Sequence, residues 1–84
     1  MEGDLQRTVG RNVRAIRIAR GLSQEAFADA LGVHRTYMGT LERGQRNLTL
    51  RAVERLADLL GIDDPRTLLS ETMTVSVTVT DPGQ

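Results

Sequence analysis

The 84 residues suffice for one domain with a single modest core, and they include no cysteine and one histidine. This composition excludes a disulfide framework, a thiolate metal site, a cysteine nucleophile and a cluster of histidine ligands. The sequence has no paired carboxylates with a base, no nucleophile motif, no glycine-rich phosphate loop and no apolar run of membrane length. We therefore expect a cytoplasmic protein that is not an enzyme and that uses no cofactor and no metal.

The net charge is zero, but the charges are unevenly distributed along the chain. Nine arginines and three acidic residues lie between positions 7 and 51, a local balance of +6, and the remaining positions carry −6. A local positive field attracts a polyanion even when the whole chain is neutral. Solvated helix faces would give the same distribution, so the charges alone do not identify a partner.

Apolar residues at helical spacing predict five short helices. The predicted helices run from about Leu5 to Arg20, Ser23 to Gly32, His34 to Arg43, Thr49 to Leu60 and Asp64 to Ser70. Their expected inward side chains are Leu5, Val9, Val13, Ile16, Phe27, Ala28, Leu31, Met38, Leu41, Leu50, Val53, Leu56, Ala57, Leu60, Leu68 and Leu69. Ser23 suits the N-cap of the second helix, and Pro65 suits the first position of the fifth.

After Glu71 the apolar period changes from 3.6 to 2. Residues 74–80 alternate strictly between hydroxyl residues and valine, which predicts a strand with Val75, Val77 and Val79 on one face. A lone strand in an all-helical domain has no partner in its own chain, and an exposed edge favours pairing. We predict that it pairs with the same strand of a second copy; a disordered tail or docking on a different protein are the alternatives.

The second and third helices have the features of two short helices that cross through a tight turn. Ala28 is small at the expected crossing point, and Gly32 permits the positive φ that the turn requires. The outward positions of the third helix are Arg35, Thr36, Gly39, Thr40 and Arg43. A protruding helix with this composition fits a DNA major groove, which is about 12 Å wide.

The chain resembles the lambda-repressor/Cro-like helix-turn-helix proteins, and the xenobiotic-response-element (XRE) type in particular. The resemblance covers about residues 5–69 and excludes the tail. It is carried by Val9-Gly10, Ile16-Arg17, Gly21-Leu22-Ser23-Gln24, Ala28, Leu31-Gly32-Val33, Met38 and Leu41-Glu42-Arg43-Gly44. Gly39 departs from the pattern, because bulkier residues are usual there, and glycine costs a helix roughly 1 kcal/mol of propensity.

The resemblance implies which side chains read bases. Arg35 and Thr36 at the start of the third helix, and Thr40 one turn later, are expected to contact base edges. Arginine matches the two acceptors of guanine, which supports the role of Arg35. The alternatives are a solvated Arg35 and neutral surface threonines.

The resemblance also implies contacts to the DNA backbone and one structural ion pair within the protein. Ser23 and Gln24 are expected to hold the phosphate backbone at the start of the second helix, and Arg43, Arg46 and Asn47 to hold it on the other side of the groove. Tyr37 either packs against the protein or joins these backbone contacts. An ion pair between Arg17 and Glu42 is expected to tie the first helix to the third.

These observations predict an all-α, five-helix, lambda-repressor-like domain over residues 1–71 and a dimerisation segment over residues 72–84. We expect a homodimeric transcriptional regulator that binds a roughly palindromic duplex, with recognition helices about 34 Å apart. The alternative is an antitoxin-like or restriction-modification controller-type protein whose role includes binding a partner protein.

Overall fold

A computed structural model describes residues 3–74, and within this range all regular structure is helical. The elements are α1 (Asp4–Ala19), α2 (Gln24–Leu31), α3 (Arg35–Glu42), α4 (Leu50–Leu60) and a 3₁₀ helix (Pro65–Leu69). The predicted strand residues Val75, Val77 and Val79 lie outside the described range, so the strand stays a prediction. No helix within residues 3–74 is long and apolar enough to cross a membrane.

The helix boundaries follow from the capping residues. The Ser23 hydroxyl accepts a hydrogen bond from the backbone amide of Ala26, and Thr49 caps α4 in the same way. Gly32 ends α2 with φ 74°, a left-handed conformation that a β-carbon disfavours. The amide of Val33 then bonds to the carbonyl of Ala28, which closes the tight turn before α3.

The predicted core is largely confirmed. Phe27, Met38, Leu41, Leu68, Val9 and Val13 are the largest fully buried side chains. They come from α1, α2, α3 and the 3₁₀ helix, and α4 adds Val53, Leu56, Ala57 and Leu60. Burial of this apolar set holds the elements together, because each helix has only one apolar face.

Three expectations about the fold were wrong: the type of the fifth helix, and the burial of Leu5 and of Leu50. The fifth predicted α-helix is a 3₁₀ helix: Thr67 and Ser70 bond three residues back to Asp64 and Thr67. Five residues between a capping aspartate and an extended serine are too few for a stable α-helix. The Asp64 carboxylate accepts from the backbone and guanidinium of Arg66, and this bonding lowers the pKa of Asp64.

Leu5 and Leu50 were also expected to be buried, and both are exposed, at 61% and 77%. Both lie in the first turn of a helix, where side chains point back past the helix end. The apolar stripe of each helix therefore extends beyond the neighbouring elements that cover the rest of it. Leu5 and Leu50 line one shallow groove together with Leu48 and Leu69.

Two contacts that the helical periodicity did not predict hold α1 against its neighbours. Gly10 packs against the C-terminal end of α3, where a β-carbon would lie 2.3 Å from the carbonyl oxygen of Leu41. The buried amide of Asn12 donates to the carbonyls of Leu68 and Ser70, both at 2.9 Å. Asn12 thus satisfies two carbonyls at the end of the 3₁₀ helix.

Candidate nucleic-acid interface

The N-terminal end of α3 presents two of the three predicted base-reading residues. Arg35 and Thr36 are exposed, and the amide of Thr36 bonds to Nδ1 of His34, which is the N-cap of the helix. Thr40 is half-buried, and its hydroxyl donates to the carbonyl of Tyr37 at 3.0 Å. The lone pairs of its hydroxyl oxygen and its methyl group therefore remain the contact groups of Thr40.

Arg35 is held only weakly in the free protein. Its guanidinium lies 3.8 Å from the carboxylate of Glu25, and both side chains are about two-thirds exposed, at 68% and 70%. Exposed ion pairs of this kind contribute about 0–1 kcal/mol. Arg35 can therefore leave Glu25 for a base edge at little cost.

Below this exposed end, a network of charged and polar groups joins α1, α2 and α3. The Arg17 guanidinium donates to both carboxylate oxygens of Glu42, at 2.7 and 3.1 Å, and to the carbonyl of Leu22 at 2.9 Å. The Glu42 side chain is 2% exposed and that of Arg17 is 13% exposed. The geometry predicted for this pair is therefore present, with the Glu42 carboxylate buried and the Arg17 guanidinium largely so.

Gln24 belongs to the same network, which the sequence did not reveal. Its side-chain Nε2 donates to Oε1 of Glu42 at 3.0 Å, so one carboxylate fixes groups from two other helices. For Gln24 we had predicted only a contact with the phosphate backbone of the DNA. Its amide is oriented before any DNA binds, and it retains one further N–H donor.

The other residues that were predicted to contact the DNA backbone lie in different surroundings. Tyr37 is half-buried, and the Arg46 guanidinium lies over its ring, 4.5 Å from the centroid. Such a contact positions the arginine through a cation–π interaction. Asn47 is exposed in the turn after α3, and the Ser23 hydroxyl is used as a helix cap.

Arg43 makes different contacts from Arg46. Its Nε donates to Oε1 of Gln45 at 3.0 Å, and its Nη1 reaches back over Gly39 of α3. Arg7 and Arg11 of α1 line the same open cleft as Arg43. Three acidic residues, Asp4, Glu42 and Glu71, line this cleft as well, so its formal charges balance.

The crossing of α2 and α3, the tight turn at Gly32 and the exposed start of α3 define a helix-turn-helix protein. The family model for a helix-turn-helix domain matches residues 8–69, and the chain belongs to this family. It is a DNA-binding transcriptional regulator of the XRE type, as its motifs predicted.

Two relatives and two solved structures show what the chain is similar to. Control protein C.SmaI of Serratia marcescens is 42% identical over 65 residues, 77% of each chain. Control protein C.BamHI of Bacillus amyloliquefaciens is 37% identical over 86% of this chain and 89% of its own length. The restriction-modification controller protein C.AhdI from Aeromonas hydrophila is 44% identical, with a TM-score of 0.62 over 75% of this chain and 94% of that structure. The hypothetical transcription factor NHTF from Neisseria is 36% identical, with a TM-score of 0.69 over 83% and 79%.

Proposed function

We propose that the protein acts as a homodimer on a roughly palindromic operator and controls genes of a restriction-modification system. The observation that carries the proposal is α3, whose start presents Arg35 and Thr36 exposed and whose last residue, Glu42, is bonded to Arg17 of α1. An exposed helix end of this kind fits the major groove. The control proteins to which the chain is similar support the class of regulated genes.

In this proposal the site residues act in two groups. Arg35, Thr36 and Thr40 read base edges, because their side chains lie on the outer face of α3. The second group holds the phosphate backbone and consists of Ser23, Gln24, Tyr37, Arg43, Arg46 and Asn47. Arg17 and Glu42 have a structural role only, since their charges satisfy each other in the interior.

The homodimer is supported by the apolar groove at Leu5 and Leu50. Contiguous exposed apolar surface of this kind marks contact sites more often than isolated leucines do. One recognition helix reads only a few base pairs, and a second copy doubles the readout through a two-fold axis. We therefore assign the groove to a second copy of this chain.

Titration of duplex DNA at several salt concentrations tests the proposal. If a dimer makes about six to ten phosphate contacts, affinity should fall about 10³–10⁵-fold between 50 and 200 mM salt. A duplex obtained by in vitro selection should compete better than a scrambled duplex of the same composition. Failure to bind any duplex at low salt would show that the proposed function is wrong.

The regulated genes can be checked separately. We expect a genomic binding profile to place the protein at promoters beside restriction and modification genes. Binding only at promoters of unrelated genes would show that the protein regulates a different class of genes, although its DNA-binding role would stand. Binding to a partner protein, as in the antitoxin-like alternative, stays a prediction.

A further inference from the structure

The start of α3 is capped by an imidazole ring. His34 is the N-cap residue of the helix, and its Nδ1 accepts a hydrogen bond from the backbone amide of Thr36 at 3.0 Å. Ser23 and Thr49 cap α2 and α4 through hydroxyl groups, whose capacity to accept does not change near neutral pH. Among the three α-helices that a side chain caps within residues 3–74, only α3 therefore depends on an acceptor that a proton can occupy.

A neutral ring can form this cap, and a protonated ring cannot. With Nδ1 as the acceptor, the proton of the neutral imidazole is on Nε2. Protonation turns Nδ1 into a second donor, so the amide of Thr36 loses its partner. It also places a cation at the positive end of the helix dipole, where positive charge is destabilising. Both effects act on the first turn of α3, which carries Arg35 and Thr36.

The charged and titratable groups around the ring come from three helices. Arg35 follows His34 in α3, and its guanidinium lies 3.8 Å from the carboxylate of Glu25 in α2. Tyr37 of α3 and Arg55 of α4 line one groove together with His34. Glu25 compensates one of the two arginines, and an imidazolium would add a further positive charge to this surface.

The composition of the chain makes the effect of this ring separable. His34 is the only histidine in the 84 residues, and there is no cysteine. Histidine is the side chain whose charge ordinarily changes between pH 5 and 8. His34 is exposed, so solvent protons reach the ring. A change in DNA binding over this pH range can therefore be traced to one residue by substituting it.

We propose that His34 is a positioning residue for DNA binding: its neutral imidazole orders the first turn of α3, so operator affinity decreases as the pH falls from 7.5 to 5.5. This role rests on the proposed DNA-binding function and adds its regulation by pH. A histidine that acts only as a cation beside DNA has the opposite effect, because an imidazolium attracts phosphate and strengthens binding at low pH. The sign of the pH profile distinguishes the two roles.

Operator affinity measured at pH 7.5 and 5.5, at constant salt, tests the proposal. An N-cap shifts the equilibrium between an ordered and a frayed helix start by about fivefold, and a dimer contains two such helices. We expect the wild-type affinity to be at least about threefold lower at pH 5.5. His34→Asn is the matched control, because asparagine caps a helix without titrating. Its affinity should resemble that of the wild type at pH 7.5 and change by less than about twofold at pH 5.5.

His34→Ala removes the acceptor at every pH. We expect this variant to bind more weakly than the wild type at pH 7.5 and to show no further loss at pH 5.5 beyond that of His34→Asn. Circular dichroism at both pH values separates a local from a global effect. The wild type should keep its helical content at pH 5.5, because only the first turn of α3 loses its cap.

Several outcomes would overturn the proposal. Wild-type affinity that rises at pH 5.5 relative to His34→Asn would show that the imidazolium attracts phosphate instead of positioning the helix. Equal pH profiles for these two proteins would show that the cap does not control binding, and helix loss throughout the wild type alone would assign His34 to folding. A wild-type protein that binds no duplex at pH 7.5 and low salt contradicts the proposed function, whereas normal binding with a flat pH profile overturns only the role of His34.

Discussion

Glu42 determines how three helices are arranged behind the proposed DNA-binding face. Its carboxylate accepts from Arg17 and Gln24, and the three residues belong to α3, α1 and α2. A buried charge is tolerated only when it is paired and hydrogen-bonded. The same contacts therefore serve stability and place the Gln24 amide.

We expect Glu42→Ala to lower the free energy of unfolding by about 3–5 kcal/mol, because it leaves Arg17 without its partner in a largely buried position. Chemical denaturation followed by circular dichroism measures the loss. Glu54→Ala is the matched control, since Glu54 is exposed on α4 and should change stability by less than about 0.5 kcal/mol. A loss below about 1 kcal/mol for Glu42→Ala would contradict the buried pair.

Arg35 is expected to act on base preference and hardly on folding. Its side chain is 68% exposed and has only a distant contact with Glu25. Arg35→Ala should cost about 1–3 kcal/mol of operator binding and relax the preference at one base pair per half-site. Arg35→Lys keeps the charge but loses the planar fork, so it should retain backbone attraction without restoring the preference. Selection of bound duplexes by each variant is the measurement, and an unchanged preference for Arg35→Ala removes this residue from the readout.

The contact between α1 and α3 depends on a residue without a side chain, Gly10. Gly10 lies against the backbone at the end of α3, where a β-carbon would be 2.3 Å from the carbonyl oxygen of Leu41 and 2.8 Å from that of Glu42. Backbone atoms cannot move aside as a flexible side chain can. Glycine at this position lets the two helices approach closely enough for Arg17 to reach Glu42.

Gly10→Ala should therefore destabilise the fold even though alanine is the better helix former. Overpacking costs about 1–3 kcal/mol, and this exceeds a propensity gain of about 1 kcal/mol. Gly39→Ala makes the same chemical change in another helix, against the flexible end of Arg43, and should be neutral or stabilising. Urea denaturation of the two variants compares them directly. Equal stability changes would mean that α1 and α3 adjust without cost.

The proposed assembly of two copies would use surfaces at one side of the molecule. Leu5 and Leu50 are exposed there, and Leu69 of the 3₁₀ helix lines the same groove. Met73, near the end of the described chain, still packs partly against the core. The valine segment that follows is the dimerisation element that the sequence predicts, and a two-stranded ribbon is stable only when one face packs on something.

We expect deletion of residues 75–84, which spares Met73, to weaken dimerisation and operator affinity while each monomer keeps its helical content. Analytical ultracentrifugation at concentrations where the full chain is dimeric measures the effect. Leu50→Asp, on an exposed side chain, should also weaken the dimer if a second copy covers the groove. A truncated chain that dimerises as tightly as the full chain would show that the valine segment has a different role.

The sequence by itself determined the order and the limits of the α-helices. Ser23, Gly32 and Thr49 specify helix ends through bonds to neighbouring residues, and apolar spacing specifies which face is buried. Both signals act over a few residues, so they can be read without the fold. The motif pattern also identified the helix-turn-helix family and the Arg17–Glu42 pair.

Only the tertiary structure decided which distant groups meet. Gln24 and Arg43 are 19 positions apart, and their convergence over Gly39 depends on how α2 and α3 cross. The exposure of Leu50 has a similar cause: its position fits the apolar stripe of α4, but no neighbouring element extends far enough to cover it. Helical periodicity gives the direction of a side chain around its own axis, whereas contact and burial depend on the length and crossing angle of the neighbouring helices.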